Sequence, residues 1–135
     1  MQIPTTLATL VAAVAVTITP ALASDGVRRE AKSVDGSFTG EIVGEPAPGA
    51  KFAGLKIGMS TGEVQEVMDG VPDRQHSYES GKRWIPFYGG NDARRMQVLY
   101  KGEGCLVFTD GNVWGGAGGD LLEIHHDPSG GCYQP

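Results

Sequence analysis

The sequence predicts an α+β domain in which a short helix, or helices, packs on a small antiparallel β-sheet. Two observations lead to this fold class. A helix start signal stands at Ser60, and five strand-length segments separated by glycine-rich turns follow it. With 135 residues, 21 of them Gly, the chain has the length of a single small domain.

The first 23 residues are predicted to be a secretory signal peptide. An apolar stretch from Leu7 to Ile18 precedes a small-residue site at Ala21-Leu22-Ala23, and the first charged residue is Asp25. An uncleaved anchor is the alternative, although the stretch barely reaches the ~20 apolar residues that a membrane span needs. Cleavage after Ala23 predicts an exported protein of the periplasm with no later transmembrane segment. Neither cysteine stands directly after the predicted cleavage site, so no lipid anchor is expected.

Residues 24–50 are polar and rich in glycine and proline, with Phe38 and Ile42 among their few large apolar side chains. So little apolar surface does not offset the entropy of ordering the segment. We therefore expect a flexible linker over 24–50, with the folded domain at 51–135.

A helix is predicted from about Thr61 to Asp69. Ser60 and Glu63 form a capping box, in which the serine side chain accepts a hydrogen bond from a first-turn amide and the glutamate reaches back to the cap. Val64, Val67 and Met68 recur at helical spacing. Gly70 is expected to take the left-handed conformation at the helix end, and Pro72 prevents continuation.

Strands are predicted after the helix, separated by glycine-rich turns. Residues 96–100 and 105–109 form the clearest hairpin, and Gly111 to Gly119 is expected to be a loose connection. Because Pro86 has no amide hydrogen, its strand is expected at a sheet edge or at a bulge. The predicted strands are Arg74 to Glu79, Lys82 to Tyr88, Arg95 to Lys101, Cys105 to Asp110, and Leu121 to His126.

Cys105 and Cys132 are an even pair without zinc-site spacing. In an oxidising compartment this pattern favours a disulfide, and two buried free thiols are the alternative. Such a bridge would stabilise the fold by roughly 3 to 3.5 kcal/mol in the loop-entropy treatment.

Cations and aromatic residues alternate between positions 82 and 101. Lys82, Arg83, Arg94, Arg95 and Lys101 stand in this interval with a single acid, Asp92, although the whole chain carries −5. Aromatic and arginine side chains are enriched at protein interfaces, and cations attract anionic headgroups. On the predicted strand, Ile85 and Phe87 are expected in the core and Trp84 and Tyr88 on the opposite face. The predicted partner-binding residues are Trp84, Tyr88, Arg83, Arg94 and Arg95.

No catalytic constellation is evident, and neither an enzyme activity nor a cofactor is predicted. His125 and His126 are adjacent in a predicted strand, so they point to opposite faces and cannot readily ligate one ion. A metal site made of His76, His126 and Asp127 is the alternative, without supporting spacing. The net negative charge argues against nucleic acid as a partner.

The order of these landmarks resembles the SmpA/OmlA (BamE-like) domain family, in a secreted branch without a lipid anchor. The resemblance is carried by Ile57-Gly58-Met59-Ser60, by Glu63-Val64 in the helix, by Gly70-Val71-Pro72, and by Trp84 and Tyr88 in an early strand. It implies helices on a three-stranded antiparallel sheet, in a fold shared with β-lactamase inhibitor proteins. It also implies a non-enzymatic scaffold at the outer membrane.

The function expected from residues and resemblance together is a periplasmic binding or scaffold protein, peripheral to the outer membrane. Its expected partner is an envelope protein, such as an outer-membrane assembly component, or anionic lipid headgroups. The alternatives are a small periplasmic metal-binding protein and a secreted inhibitor of an envelope hydrolase.

Overall fold

A computed structural model describes residues 27–111 and 118–135. The predicted signal peptide and residues 112–117 of the glycine-rich connection lie outside the described residues. These described residues form an α+β fold with one α-helix, α1 (Thr61–Met68), and a six-stranded mixed sheet. The strands are β1 (Arg28–Lys32), β2 (Thr39–Val43), β3 (Arg74–Glu79), β4 (Arg94–Tyr100), β5 (Gly104–Thr109) and β6 (Leu121–His126).

The strand order in the sheet is β1-β2-β6-β5-β4-β3, and all neighbours are antiparallel except β2 and β6. The expected purely antiparallel sheet is therefore corrected to a mixed sheet of six strands. The segments predicted for β3 and β6 are confirmed residue for residue, and those for β4 and β5 to within a residue at each end.

The flexible linker expected over 24–50 is wrong for its described part. β1 and β2 form a hairpin in this segment, and Ile42 of β2 pairs with Ile124 of β6. The backbone of β2 approaches β6 closely at Gly40, where a Cβ atom would come within 2.3 Å of the Leu122 carbonyl oxygen. Phe38 and Ile42 pack against the core. The domain therefore includes residues that composition alone assigned to a linker.

The capping box predicted at the start of α1 is present in the structure. Ser60 Oγ accepts from the Glu63 amide, and the Glu63 side chain accepts from the Ser60 amide, which completes the capping box. The left-handed residue at the helix end is Asp69, with φ 55°, rather than Gly70. Aspartate adopts this conformation more readily than most residues.

The core lies between α1 and one face of the sheet, which we call the helix face. Alternate residues of the strands point to it, and the largest fully buried side chains are Phe52, Phe108, Ile57, Leu106, Leu121 and Ile124. The opposite face, which we call the tail face, carries Cys105, bonded to Cys132. The predicted disulfide is thus present, and it fixes the C-terminal tail across the sheet.

Candidate functional site

The segment predicted as a strand over Lys82 to Tyr88 is instead a loop between β3 and β4, and we call residues 82–88 the apolar loop. Lys82–Trp84 form one 3-10 turn, and the amide of Tyr88 donates to the carbonyl of Ile85 at 3.2 Å. Pro86 therefore lies at neither an edge strand nor a bulge. Phe87 adopts φ 61°, a left-handed conformation in which a bulky side chain is strained by about 1–2 kcal/mol.

Three large apolar side chains of the apolar loop are in contact with solvent. Trp84 is 83% exposed, Ile85 is 49% exposed, and Phe87 is 105% exposed, which means fully accessible. The expectation that Ile85 and Phe87 belong to the core is wrong. Clustered exposure of this kind is uncommon in monomeric proteins and is typical of interaction sites.

A single buried carboxylate, Asp92, holds both ends of the apolar loop. Asp92 is 8% exposed and accepts hydrogen bonds from the Tyr88 hydroxyl and from Lys82 Nζ, the latter at 2.6 Å. Ser80 adds a further restraint, because its hydroxyl lies 2.6 Å from the Asp92 carbonyl oxygen and accepts from the Lys82 amide. The exposed side chains therefore project from a loop whose two ends are held by hydrogen bonds to Asp92 and Ser80.

The five residues predicted to bind a partner do not share one surface. Arg83, Trp84 and Arg94 are exposed, whereas Tyr88 and Arg95 turn inward toward Asp92. Arg83 and Arg94 both approach the Glu79 carboxylate, at 3.3 and 3.9 Å.

The cationic character expected for this region is largely neutralised. Lys82 pairs with Asp92, and Arg95 pairs with Asp92 at 3.5 Å and with Glu123 at 3.2 Å. Lys101 follows the far end of β4 and is not part of the cluster. Glu79 and Glu123 lie outside the basic interval in sequence, and the fold brings them to the cations.

Beside the base of the apolar loop lies a polar cleft of about 760 Å³. Its wall includes Lys82, Tyr88 and Asp92 of the loop base together with the start of β2 and of β6. Six carboxylates and two cations, Lys82 and Arg95, line it. Arg28, outside the lining, pairs with Glu41 at 2.9 Å, which leaves three negative charges in excess. We call this the acidic cleft, and its carboxylates are Glu30, Asp35, Glu41, Asp92, Asp120 and Glu123.

Two of these carboxylates are held in the charged form. A hydrogen bond with His125 lowers the pKa of Glu123 against the opposing effect of burial, and the charges of His125, Arg95 and Arg28 lower it further. Hydrogen bonds from Ser37 and Ser33 lower the pKa of Asp35 to about 2. The acidic cleft is therefore negative at neutral pH.

A second, smaller cleft of about 470 Å³ lies on the tail face. The buried Gln97 side chain donates to the Cys132 carbonyl and accepts from the Gln134 amide, both at 2.9 Å. The Tyr133 ring packs edge-on against His76, with 4.9 Å between centroids. These contacts hold the C-terminal tail against the tail face of the sheet.

The alternative metal site of His76, His126 and Asp127 is not assembled. His126 packs against Phe52 on the helix face, whereas His76 contacts Tyr133 on the tail face. Asp127 accepts hydrogen bonds from Ser129 and from the Cys132 amide. Across residues 27–111 and 118–135, no three His, Cys, Asp or Glu side chains are grouped to hold a metal ion.

Comparison with protein-family models, with curated proteins and with solved structures found no match to this chain. The resemblance to SmpA/OmlA, which is based on the helix signature, stays a prediction. Within the described parts of the chain, no helix has the length and apolar composition needed to cross a membrane.

Sequence reasoning missed the carboxylates of the acidic cleft as a group. They come from β1, the β1–β2 turn, β2, the loop before β4, and the start of β6. Because they are spread along the chain, no contiguous sequence motif predicts the group. One signal was available. Asp92 is the single acid in a basic stretch, which marks it as a pairing partner for its neighbours.

Proposed function

We propose that this chain is a non-enzymatic binding protein of the cell envelope, and that the apolar loop is its contact surface for a protein partner. The observation that carries the proposal is the exposure of Trp84 and Phe87 at the tip of a braced loop. Aromatic side chains bury about 150–250 Å² each and dominate many interfaces. The apolar segment at Leu7–Ile18 and the Cys105–Cys132 disulfide support export to an oxidising compartment.

The bracing of the apolar loop favours tight binding. Asp92 fixes Tyr88 and Lys82 before any partner arrives, so the loop ends lose less conformational entropy on association. Phe87 combines a strained φ with a fully exposed ring. Strain of this kind persists where surrounding contacts enforce it, and it is frequent at binding sites.

A protein partner is favoured over anionic lipid headgroups because the flanking cations are already paired. Lys82 is bonded to Asp92, and Arg83 and Arg94 approach Glu79. Attraction to an anionic bilayer grows with the local excess of lysine and arginine, and these pairs reduce that excess.

The SmpA/OmlA resemblance supports a scaffold role, as an extension of the same proposal. The capped helix from Ser60 agrees with the family signature. The six-stranded mixed sheet is larger than the three-stranded sheet that the resemblance implies. Membership of an outer-membrane assembly complex is therefore a narrower proposal than binding itself.

Two substitutions in the apolar loop test the proposal. Trp84→Ala and Phe87→Asn remove the apolar side chains, and asparagine tolerates the left-handed conformation at position 87. Capture of the partner from periplasmic extract by the purified protein should fall by about thirtyfold for either variant if it is a binding hot spot.

The matched control is Val71→Ala, since Val71 is an apolar residue that is 72% exposed and lies outside the apolar loop. It should leave capture unchanged. Equal capture by all three variants and the unaltered protein would exclude the apolar loop as the contact surface.

A further inference from the structure

We infer that the partner is basic where it meets this protein, and that it places lysine or arginine side chains of an extended segment in the acidic cleft while its apolar side chains cover Trp84 and Phe87. The inference rests on the proposed function of the apolar loop and names the chemistry of its partner. It reverses the polarity that the local sequence predicted, in which a cationic surface meets an acidic partner.

The apolar loop and the acidic cleft are one continuous surface. Lys82, Tyr88 and Asp92 form the base of the loop and also the wall of the cleft. Gly90 and Asn91, which continue the chain toward β4, line the cleft as well. The cleft is thus adjacent to the base of the loop that carries Trp84 and Phe87, within reach of a peptide segment that extends past the loop base.

The charge of the cleft selects the partner. Both lining cations are already bonded to carboxylates, Lys82 to Asp92 and Arg95 to Asp92 and Glu123. Among the described residues, Asp35 and Asp120 form no ion pair with a lysine or arginine of the chain. Their charges are compensated only by hydroxyl and amide donors, so a cationic group from outside gains attraction that the fold does not supply.

The size of the cleft fits side chains rather than a single ion. Its volume of about 760 Å³ lies within the roughly 300–1,000 Å³ found for ligand clefts. No grouping of three metal-ligating side chains is present in the described residues, which argues against a bare metal ion. An excess of negative charge repels anionic headgroups, which argues against a lipid surface.

A fluorescence anisotropy titration of the full chain tests the inference with defined probes. The first probe is a short labelled peptide that alternates lysine and leucine. The second is the matched peptide that alternates glutamate and leucine. The third is vesicles of phosphatidylglycerol. The lysine–leucine peptide should bind about tenfold more tightly than the glutamate–leucine peptide, and its affinity should fall as NaCl rises from about 0.05 M to about 0.3 M.

The double variant Glu30→Gln/Asp120→Asn removes two negative charges of the cleft without touching the apolar loop. It should weaken the lysine–leucine peptide by about fivefold, as expected for the loss of two partly exposed charge pairs. The control is Glu66→Gln, which neutralises an exposed carboxylate on α1 and should not change the affinity for the peptide. Circular dichroism verifies that each variant is folded.

Equal or stronger binding of the glutamate–leucine peptide, preferential binding of the vesicles, or unchanged binding by the double variant would overturn the inference. Its failure is distinguishable from failure of the proposed function. If Trp84→Ala abolishes partner capture while Glu30→Gln/Asp120→Asn does not alter peptide binding or capture, the apolar loop binds and the cleft does not.

Discussion

Asp92→Ala removes the carboxylate that holds the apolar loop, and its cost can be worked from the contacts. A hydrogen bond from the Tyr88 hydroxyl to a charged acceptor contributes about 1.5–3 kcal/mol. The Lys82 pair is partly exposed and contributes about 0.5 kcal/mol. Arg95 retains its ion pair with Glu123, so the loss of its contact with Asp92 costs little stability. The expected loss in the free energy of unfolding is about 2–3.5 kcal/mol, which is a decrease of roughly 8–14 °C in Tm.

Urea denaturation with hydrogen exchange measures both consequences of Asp92→Ala. The midpoint should fall at constant m-value, and amides of residues 81–88 should exchange faster than those of β4. Asp92→Asn, which keeps one acceptor for Tyr88, should lose less, and Glu66→Ala should lose almost nothing. A change below about 0.5 kcal/mol for Asp92→Ala, or unchanged exchange in the loop, would refute the bracing role of Asp92.

Four further changes have defined outcomes. Cys105→Ala/Cys132→Ala opens a sequence separation of 27 residues and should cost about 3.5 kcal/mol in urea denaturation, with no added effect of reductant on the variant. Glu123→Gln should lower the free energy of unfolding by about 1–2 kcal/mol at pH 7. Because the folded-state pKa of Glu123 lies below 4.5, this contribution is present above about pH 4.5 and is lost as the pH falls through the folded value. The stabilities of the variant and the unaltered protein should therefore become equal in acid. Ser60→Ala should lower stability by about 1 kcal/mol and Ser60→Asp should not, which thermal unfolding distinguishes. Phe87→Asn should raise stability by about 0.5–1 kcal/mol while it weakens binding, since it relieves the left-handed strain; a less stable variant would contradict that reading of Phe87.

The elements that the sequence predicted well are those specified by local interactions. The capping box of Ser60 and Glu63 fixes the start of α1, and Pro72 ends it within a few residues. β3 and β6 are bounded by polar or glycine-containing turns at the predicted residues. Nearest-neighbour chemistry was sufficient in these segments.

The elements that the sequence did not predict depend on partners distant in the chain. β2 has little apolar surface of its own, and it is ordered because β6, about eighty residues later, offers a strand edge. The local composition of residues 24–50 does not predict pairing with β6. A linker was therefore the natural prediction from composition.

The segment predicted to carry the contact residues differs from the prediction in its conformation and in its charge. Aromatic and apolar residues at 84–88 favour a strand by propensity, yet Phe87 is left-handed and fully exposed. The cations at 82–95 suggested a positive surface, because Glu79 and Glu123 pair with them only in the folded chain. Charge counted along a sequence interval omits the acids that neighbouring strands contribute.

The most direct test of the account is photo-crosslinking in exporting cells, with the probe amino acid at position 87 and, as the control, at position 71. Both positions are exposed and apolar, and position 71 lies outside the apolar loop. The account predicts a discrete adduct from position 87 whose captured protein has a basic contact segment, and no such adduct from position 71. Efficient incorporation at position 87 with no adduct, or the same adducts from both positions, would contradict it.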